Sequence, residues 1–166
     1  RELHRYRAEH SLPEAPRTTL VACIVQQGVA IWAHVGDSRL YRLRASRFEQ
    51  MTLDHSLLQE LVDRGFYSQE EAARASNKNY VTRALGVEPS VEVEIHEEPA
   101  LKGDYYVLCS DGLYAYLEDD KLPSLLGDGD IKDVPRALIE LANAGGGHDN
   151  ITGVVLRVGE GGTSTA

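Results

Sequence analysis

Three short acidic motifs lie at the ends of apolar, strand-like segments of this chain. Gly-Asp-Ser-Arg occupies residues 36–39, Ser-Asp-Gly residues 110–112, and His-Asp-Asn-Ile-Thr residues 148–152. An aspartate at a strand end is held by a rigid backbone, while its short side chain extends beyond the sheet. Hard divalent cations prefer carboxylate oxygens as ligands. The pattern therefore predicts a metal site assembled from separate loops at the end of a β-sheet.

The apolar segments around these motifs have the composition of β-strands. Residues 19–25 and 29–35 are rich in β-branched and aromatic side chains, and Gln26, Gln27 and Gly28 supply a tight turn between them. Together they predict a β-hairpin. Further strands are expected at residues 40–43, 48–51, 91–95 (an edge strand), 105–110 (a central strand) and 151–158.

Helical periodicity interrupts the strands in the middle of the chain. Leu57, Leu58, Leu61 and Val62 follow helical spacing, and Gly65 is a stop signal. Ser68 then begins a Ser-Gln-Glu-Glu sequence that fits a capping box, which predicts a second short helix through Ala75. Helical segments are also expected in the first residues before Pro13, at residues 80–85, at residues 118–126, and from Asp130 to Asn143.

Composition limits the class of protein. The chain has 166 residues, and no repeat or linker divides it, so we expect a single domain over residues 1–166 with a disordered Gly/Ser/Thr tail at residues 159–166. The 17 Lys and Arg residues against 26 Asp and Glu give a net charge of −9. There is no basic run with interleaved aromatic residues. These features argue against nucleic-acid binding, which depends on cations that neutralise phosphates.

The sequence also favours a cytoplasmic protein. No apolar run approaches the ~18 residues of a membrane span, and no signal-peptide pattern opens the chain. Cys23 and Cys109 each lie inside an apolar run and do not form a CxxC pair. We therefore expect two buried, unpaired thiols and no membrane contact.

In combination, the three acidic motifs, Thr18-Thr19-Leu20 and Ala84-Leu85-Gly86 resemble the metal-dependent serine/threonine protein phosphatases of the PP2C type. The resemblance extends from about Thr18 to Arg157. It implies an α+β fold, a four-layer αββα sandwich of two mostly antiparallel sheets flanked by helices, which agrees with the order of strands and helices along the chain.

The same resemblance implies a set of metal ligands. Asp111 and Asp149 match ligands of the central metals, and Asp37 matches the residue that binds an additional, weaker ion. The complete domain would hold two or three Mg²⁺ or Mn²⁺ ions, which suit carboxylate and water ligands. An alternative for Asp37 is a structural salt bridge with Arg39. His55 fits a helix-capping network, and His148 an exposed loop position.

Two motifs of that family are absent from this sequence, namely an upstream Asp-Gly-x-Gly-Gly and an arginine that grips the phosphate. The first residue is Arg1 rather than Met. We therefore expect an N-terminally truncated domain that has little activity alone. A missing N-terminal segment, or self-association, would cover the strand edges near residues 19–35.

The resemblance implies hydrolysis of phosphoserine and phosphothreonine in protein substrates of a Ser/Thr kinase. It places a mobile flap at about Val62 to Tyr80, with Ser68, Asn77 and Asn79 as candidate substrate contacts, and Ala75-Ser76 stands where a His-Pro pair is common. The alternative from a different class is a pseudophosphatase or regulatory domain that binds a partner without turnover.

Overall fold

A computed structural model describes residues 1–14, 16–75, 80–117, 122–127 and 130–159 of the chain. Its helices are α1 (Glu2–Glu9), α2 (Leu57–Asp63), α3 (Gln69–Arg74), α4 (Asp111–Tyr114), α5 (Leu122–Gly127) and α6 (Val134–Ala144). Its strands are β1 (Leu20–Gln26), β2 (Val29–Val35), β3 (Arg39–Arg44), β4 (Arg47–Gln50), β5 (Glu94–Pro99), β6 (Tyr105–Cys109) and β7 (Gly153–Arg157).

The strands form two antiparallel sheets. The first has the order β1-β2-β5 and the second the order β4-β3-β6-β7. Helices flank the sheets, which confirms the predicted α+β fold class. The predicted positions of β5 at an edge and β6 in the interior are also confirmed within the described strands.

Two apolar cores hold these layers together. Trp32 of the first sheet and Leu40 and Tyr106 of the second belong to one buried cluster, which therefore lies between the sheets. The other cluster joins the second sheet to α5 and α6 through residues such as Val107 and Leu138. The opposite face of the first sheet is different, because the isoleucines at positions 24, 31 and 95 are 62%, 41% and 67% exposed there.

The predicted hairpin is present as β1 and β2, with Gln26 paired to Val29. Gln27 has φ +51° and Gly28 has φ +77°. Positive φ at both central residues is the requirement of a type I′ turn, whose twist matches that of the flanking strands. The second strand of the hairpin, β2, ends immediately before the first acidic motif.

Several predicted boundaries are wrong. Residues 80–85 are not helical, because their backbone pairs across the chain at Val81 with Ser56 and at Leu85 with Thr18. The edge strand begins at Glu94 rather than at residue 91.

The helix that was expected to start at Asp130 starts later. It begins after an N-cap at Asp133, because the Asp130 side chain accepts the Lys132 amide N–H in a preceding turn. Residues 118–121 of the helix expected at 118–126, and residues 160–166 of the expected tail, lie outside the described residues. Among the described residues, no helix combines the length and the apolar character needed to cross a membrane.

Candidate active site

Asp111, the first residue of α4, and the loop that carries Asp149 are held next to each other because β6 and β7, the adjoining strands, are neighbours. Cys109 at the end of β6 pairs with Gly153 at the start of β7. Between the loops, the Ser110 amide donates to Thr152 O and the Ser110 hydroxyl donates to Asn150 O, each over 3.1 Å. The Thr152 amide donates back to Ser110 Oγ, also over 3.1 Å. Ser110 therefore fastens the two candidate ligand loops together.

Each of the two aspartates is also oriented by its own backbone. Asp111 Oδ1 accepts the Gly112 amide N–H over 2.9 Å, and Asp149 Oδ1 accepts the Asn150 amide N–H over 2.6 Å. A Cβ on Gly112 would lie 2.4 Å from Asn150 O, so only glycine permits this close approach. Both carboxylates are exposed to solvent, where they can receive an ion.

Asp37 follows β2 and is half-buried. Burial raises the pKa of the Asp37 carboxyl, and the negative charge of Asp111 raises it further. The fold thus brings Asp37 into the electric field of Asp111. Two carboxylates in such an arrangement repel each other unless a cation lies between them.

Arg39 does not form the predicted alternative salt bridge with Asp37. Its Nε and Nη2 donate to the two carboxylate oxygens of Asp54 over 2.9 Å and 2.7 Å, and its Nη1 donates to the Tyr41 hydroxyl over 2.9 Å. The guanidinium carbon also lies 3.8 Å from the centre of the Tyr114 ring. That alternative is therefore wrong, and no local sequence pattern distinguishes Asp54 from Asp37 as the partner of Arg39.

An open groove of about 600 Å³ contains Asp111 and Asp149. One of its walls comes from α2 and α3, including Gln59, Gln69 and Ala72, and the other wall comes from α4 and the residues after it. His148 lines the groove and is exposed, as expected of a loop residue. The arrangement places candidate metal ligands beside the segment that the sequence identified as a flap.

Side-chain caps stabilise the starts of α2, which leads into the flap, and α3, which lies within it. The Ser56 side chain accepts the Gln59 amide at the start of α2. The predicted capping box of α3 is confirmed, because Ser68 Oγ accepts the Glu71 amide and a Glu71 carboxylate oxygen accepts the Ser68 amide. The other two candidate substrate contacts, Asn77 and Asn79, lie outside the described residues.

Sequence reasoning missed a cluster of His34, His55 and Glu94, whose ligand-type atoms lie within 4.8 Å of one another. The imidazole rings of the two histidines are stacked with centroids 4.6 Å apart. His55 does not cap a helix as predicted, since the adjacent Ser56 does so. Only the long-range pairing of β2 with β5 brings Glu94 opposite His34, so no local signal was available.

Hydrogen bonds occupy the Nε2 atoms of both histidines in this cluster. His34 Nε2 lies 2.8 Å from Leu53 O, an acceptor, so this nitrogen carries a proton. His55 Nδ1 accepts the Gly36 amide N–H over 3.1 Å, which places its proton on Nε2, 3.0 Å from Glu94 Oε1. A metal-binding imidazole nitrogen must offer a lone pair. Both Nε2 atoms are instead donors in a hydrogen-bond network.

Comparison with known proteins identifies the family of the chain. No protein-family model matches it. The serine/threonine phosphatase stp of Listeria monocytogenes is 41% identical over 136 residues, which are 81% of this chain and 54% of that protein. The chain thus spans about half the length of the curated relatives it matches.

Solved structures agree with this relationship. The serine/threonine phosphatase PstP/Ppp of Mycobacterium tuberculosis has a TM-score of 0.88 and 34% identity, with coverage of 96% of this chain and 67% of that one. A PstP catalytic domain in complex with two manganese ions has a TM-score of 0.82 and 36% identity, with coverage of 96% and 66%. The chain therefore belongs to the PP2C-type family of serine/threonine protein phosphatases.

Proposed function

We propose that the protein hydrolyses phosphoserine and phosphothreonine in other proteins with the help of Mg²⁺ or Mn²⁺. The main support is that Ser110 hydrogen-bonds the segment before Asp111 to the segment after Asp149, and that both aspartates line one open groove. Relatives named serine/threonine phosphatases, one of them crystallised with manganese, support it.

The donor set suits hard divalent cations. Asp111 and Asp149 each present an exposed carboxylate, and Asp37 adds a third that already interacts with the charge of Asp111. We assign a central ion to Asp111 and Asp149 and an additional ion to Asp37 and Asp111. Oxygen-only ligands favour Mg²⁺ and Mn²⁺ over metals that prefer imidazole or thiolate. The complete domain would hold two or three such ions.

Bound divalent metal would supply a hydroxide at neutral pH and neutralise charge on the phosphate oxygens. The side chains of this chain would hold and orient the ions and leave the groove open to a phosphorylated residue. Cysteine chemistry is disfavoured, because burial raises the pKa of the Cys109 thiol to about 12 and also raises that of Cys23. Arg39 is already paired with Asp54, so we do not assign it to the phosphate.

The proposal extends to partners and location. The substrates would be phosphoproteins produced by a Ser/Thr kinase, and the flap that contains Ser68, Asn77 and Asn79 would select among them. Ser68 would act through the orientation of α3, since its hydroxyl already donates to Glu71. A cytoplasmic location is consistent with the unpaired state of Cys23 and Cys109.

Calorimetric titration of the full-length protein with Mn²⁺ tests the assignment. Asp111→Asn keeps an acceptor for the Gly112 amide but removes the charge, so it should weaken the binding of both ions. Asp149→Asn should weaken binding of the central ion, and Asp37→Asn should weaken binding of the additional ion only. Asp133→Asn, on the exposed N-cap of α6, is the matched control. Unchanged binding in both Asp111→Asn and Asp149→Asn would show that the ligand assignment is wrong.

Hydrolysis of a phosphothreonine peptide in Mn²⁺ separates the enzyme from the alternative function. An enzyme should lose turnover in the Asp111 and Asp149 variants in parallel with metal. A full-length protein that binds Mn²⁺ and the peptide without turnover would instead be a pseudophosphatase or regulatory domain.

A further inference from the structure

Three hydrogen bonds connect the end of β2 to the segment before α2. His34 Nε2 donates to Leu53 O over 2.8 Å. The Gly36 amide donates to His55 Nδ1 over 3.1 Å, and the His55 amide donates back to Gly36 O over 3.0 Å. Gly36 is therefore held by His55 through both of its backbone groups, and the next residue is the candidate ligand Asp37.

The conformation at Gly36 requires a glycine. Its φ of +104° lies in a region that other residues rarely adopt, and a Cβ there would lie 2.3 Å from the methyl carbon of Thr19. The Gly36 amide is buried together with the His55 ring nitrogen. A buried amide that loses its acceptor must find another or move towards water. A change at His55 therefore acts on the turn that aims Asp37.

The hydrogen bond to Glu94 places the proton of the neutral His55 ring on Nε2. The Glu94 carboxylate accepts the Nε2 proton over 3.0 Å, which leaves Nδ1 with a free lone pair. Arg83 Nη1 lies 3.8 Å from the same carboxylate oxygen and 3.3 Å from His55 Nε2, so its positive charge partly balances the negative charge of Glu94. The carboxylate thus fixes the imidazole in the one tautomer that can accept from Gly36.

The backbone of His55 also holds the far end of the flap. Its carbonyl accepts the Thr82 amide over 2.8 Å, and next to it the Leu57 amide donates to Tyr80 O over 2.9 Å. The start of α2 and the residues that return from the flap therefore meet at His55. His55 therefore joins the Asp37 turn to the segment that follows the flap.

We propose that His55, held by Glu94, is a positioning residue that aims Asp37 at its metal ion and ties that ion to the base of the flap. The inference rests on the proposed function, because it presupposes that Asp37 holds an ion. It assigns no ligand role to His55, whose lone pair is used by Gly36.

Two isosteric substitutions separate the two contacts of the ring. In His55→Asn the side-chain oxygen can take the place of Nδ1 and accept from Gly36, but Glu94 is out of reach. In His55→Gln the amide nitrogen can take the place of Nε2 and donate to Glu94, but Gly36 loses its acceptor. We expect His55→Gln to weaken the additional Mn²⁺ about 10-fold, in the range of losses seen for residues that support metal ligands. His55→Asn should stay within about 3-fold of the parent protein, well below that range.

Two measurements on the full-length protein test this expectation. Calorimetry gives the affinities of the additional and central Mn²⁺ ions, and hydrogen exchange followed by NMR gives the protection of the Gly36 amide without metal. Faster Gly36 exchange and selective loss of the additional ion in His55→Gln, with rescue in His55→Asn, would support the positioning role. Thr52→Val is the control, because it removes a buried hydrogen bond to the Leu40 amide and should lower the melting temperature without changing Mn²⁺ affinity.

The outcomes also separate this inference from the proposed function. If the parent protein binds Mn²⁺ through Asp37 and both His55 variants bind it equally well, the positioning role is wrong while the function stands. Equal losses in His55→Gln, His55→Asn and Thr52→Val would likewise overturn it, since they would indicate only a general loss of stability. A parent protein that binds no Mn²⁺ would overturn both.

Discussion

Arg39 donates two hydrogen bonds to Asp54, 15 residues further along the chain. Asp37, which is closer to Arg39 in sequence, instead experiences the negative charge of Asp111. This choice of partner has a consequence for the groove. The Arg39 charge is neutralised by a residue that we assign no metal, while Asp37 keeps its negative charge for a cation. The Arg39–Asp54 pair thus serves structure, and Asp37 remains a candidate for function.

Arg39→Lys should destabilise the fold by about 2 kcal/mol, because a lysine cannot form both hydrogen bonds to Asp54 and also cover the Tyr114 ring. Urea unfolding followed by tryptophan fluorescence gives the free energy. Arg47→Lys, at an exposed residue of β4, is the control and should have little effect. A stability equal to that of the parent protein would mean that the pair contributes only its charge.

Asp37→Asn should stabilise the metal-free protein at pH 7. Burial and then Asp111 raise the pKa of Asp37 in the fold, so ionisation costs stability as the pH rises through the unfolded and folded pKa values. The gain should shrink as the pH falls below about 4, where the carboxyl is protonated in both states. Excess Mn²⁺ should reverse the order of melting temperatures.

Asp104→Asn should have the opposite effect on the melting temperature of the metal-free protein at neutral pH. Burial alone would raise the pKa of Asp104, but hydrogen bonds from Arg44 and the Leu101 amide hold it below its usual value. Its stabilisation is therefore present at neutral pH and lost as the pH falls through the folded pKa. If Asp37→Asn lowered the metal-free melting temperature as Asp104→Asn should, Asp37 would be a structural carboxylate.

Gly112→Ala should disrupt the candidate site more than its size suggests. The new methyl would meet the Asn150 backbone oxygen at 2.4 Å, so the two ligand loops must separate. We expect Mn²⁺ affinity to fall at least 10-fold, as for other changes that displace metal ligands. Gly153→Ala is the matched control, because its methyl would meet a terminal side-chain carbon of Leu113 at 2.7 Å and not a backbone atom. Similar affinities for the two variants would contradict the assignment of these loops.

Substrate choice should depend on the flap and not on the carboxylates. Replacing the flap, residues 62–80, with a Gly/Ser linker should change kcat/KM for phosphopeptides of different sequence, while hydrolysis of a small aryl phosphate should suffer less. The physical reason is that an aryl phosphate needs only the metal site, whereas a peptide must also contact the walls of the groove. Equal losses on both substrates would place the flap in catalysis or folding.

The exposed face of the first sheet should promote self-association of the 166-residue chain. Ile24 is paired with Ile31, and Ile95 is paired with Ala33, so these apolar side chains share one face. Ile24→Thr with Ile95→Thr should keep the strands and reduce association, as measured by analytical ultracentrifugation. Val154→Thr changes an exposed valine of β7 in the second sheet and is the control. An unchanged association state in the double variant would exclude this face.

The parts of the fold that the sequence predicted are those with a local physical cause. The hairpin of β1 and β2 follows from two β-branched runs around a turn that requires positive φ. The capping box at Ser68 is complete within four residues. Asp111 and Asp149 remain predicted ligands; the strand-end pattern drew attention to them, and the family resemblance suggested their role.

The parts that sequence reasoning missed depend on pairings between distant segments. Residues 80–85 have helical spacing, but backbone pairing with the segments at Thr18 and Ser56 outweighs this local preference. Two of the hydrogen-bond partners of the His55 ring, Gly36 and Glu94, lie 19 and 39 residues away. No local pattern indicates such partners, so both the tautomer of His55 and its role emerged only from the structure.

β6 and β7, the strands next to the candidate ligands Asp111 and Asp149, are paired from Cys109 opposite Gly153, and this register can change only in steps. Neighbouring strands can shift only by whole residues of about 3.4 Å, and a shift of one residue would turn every side chain to the opposite face. Mutation therefore cannot change the register of β6 against β7 gradually. A lineage that adapts this groove to another ion or substrate must therefore exchange side chains while the pairing of β6 with β7 stays the same.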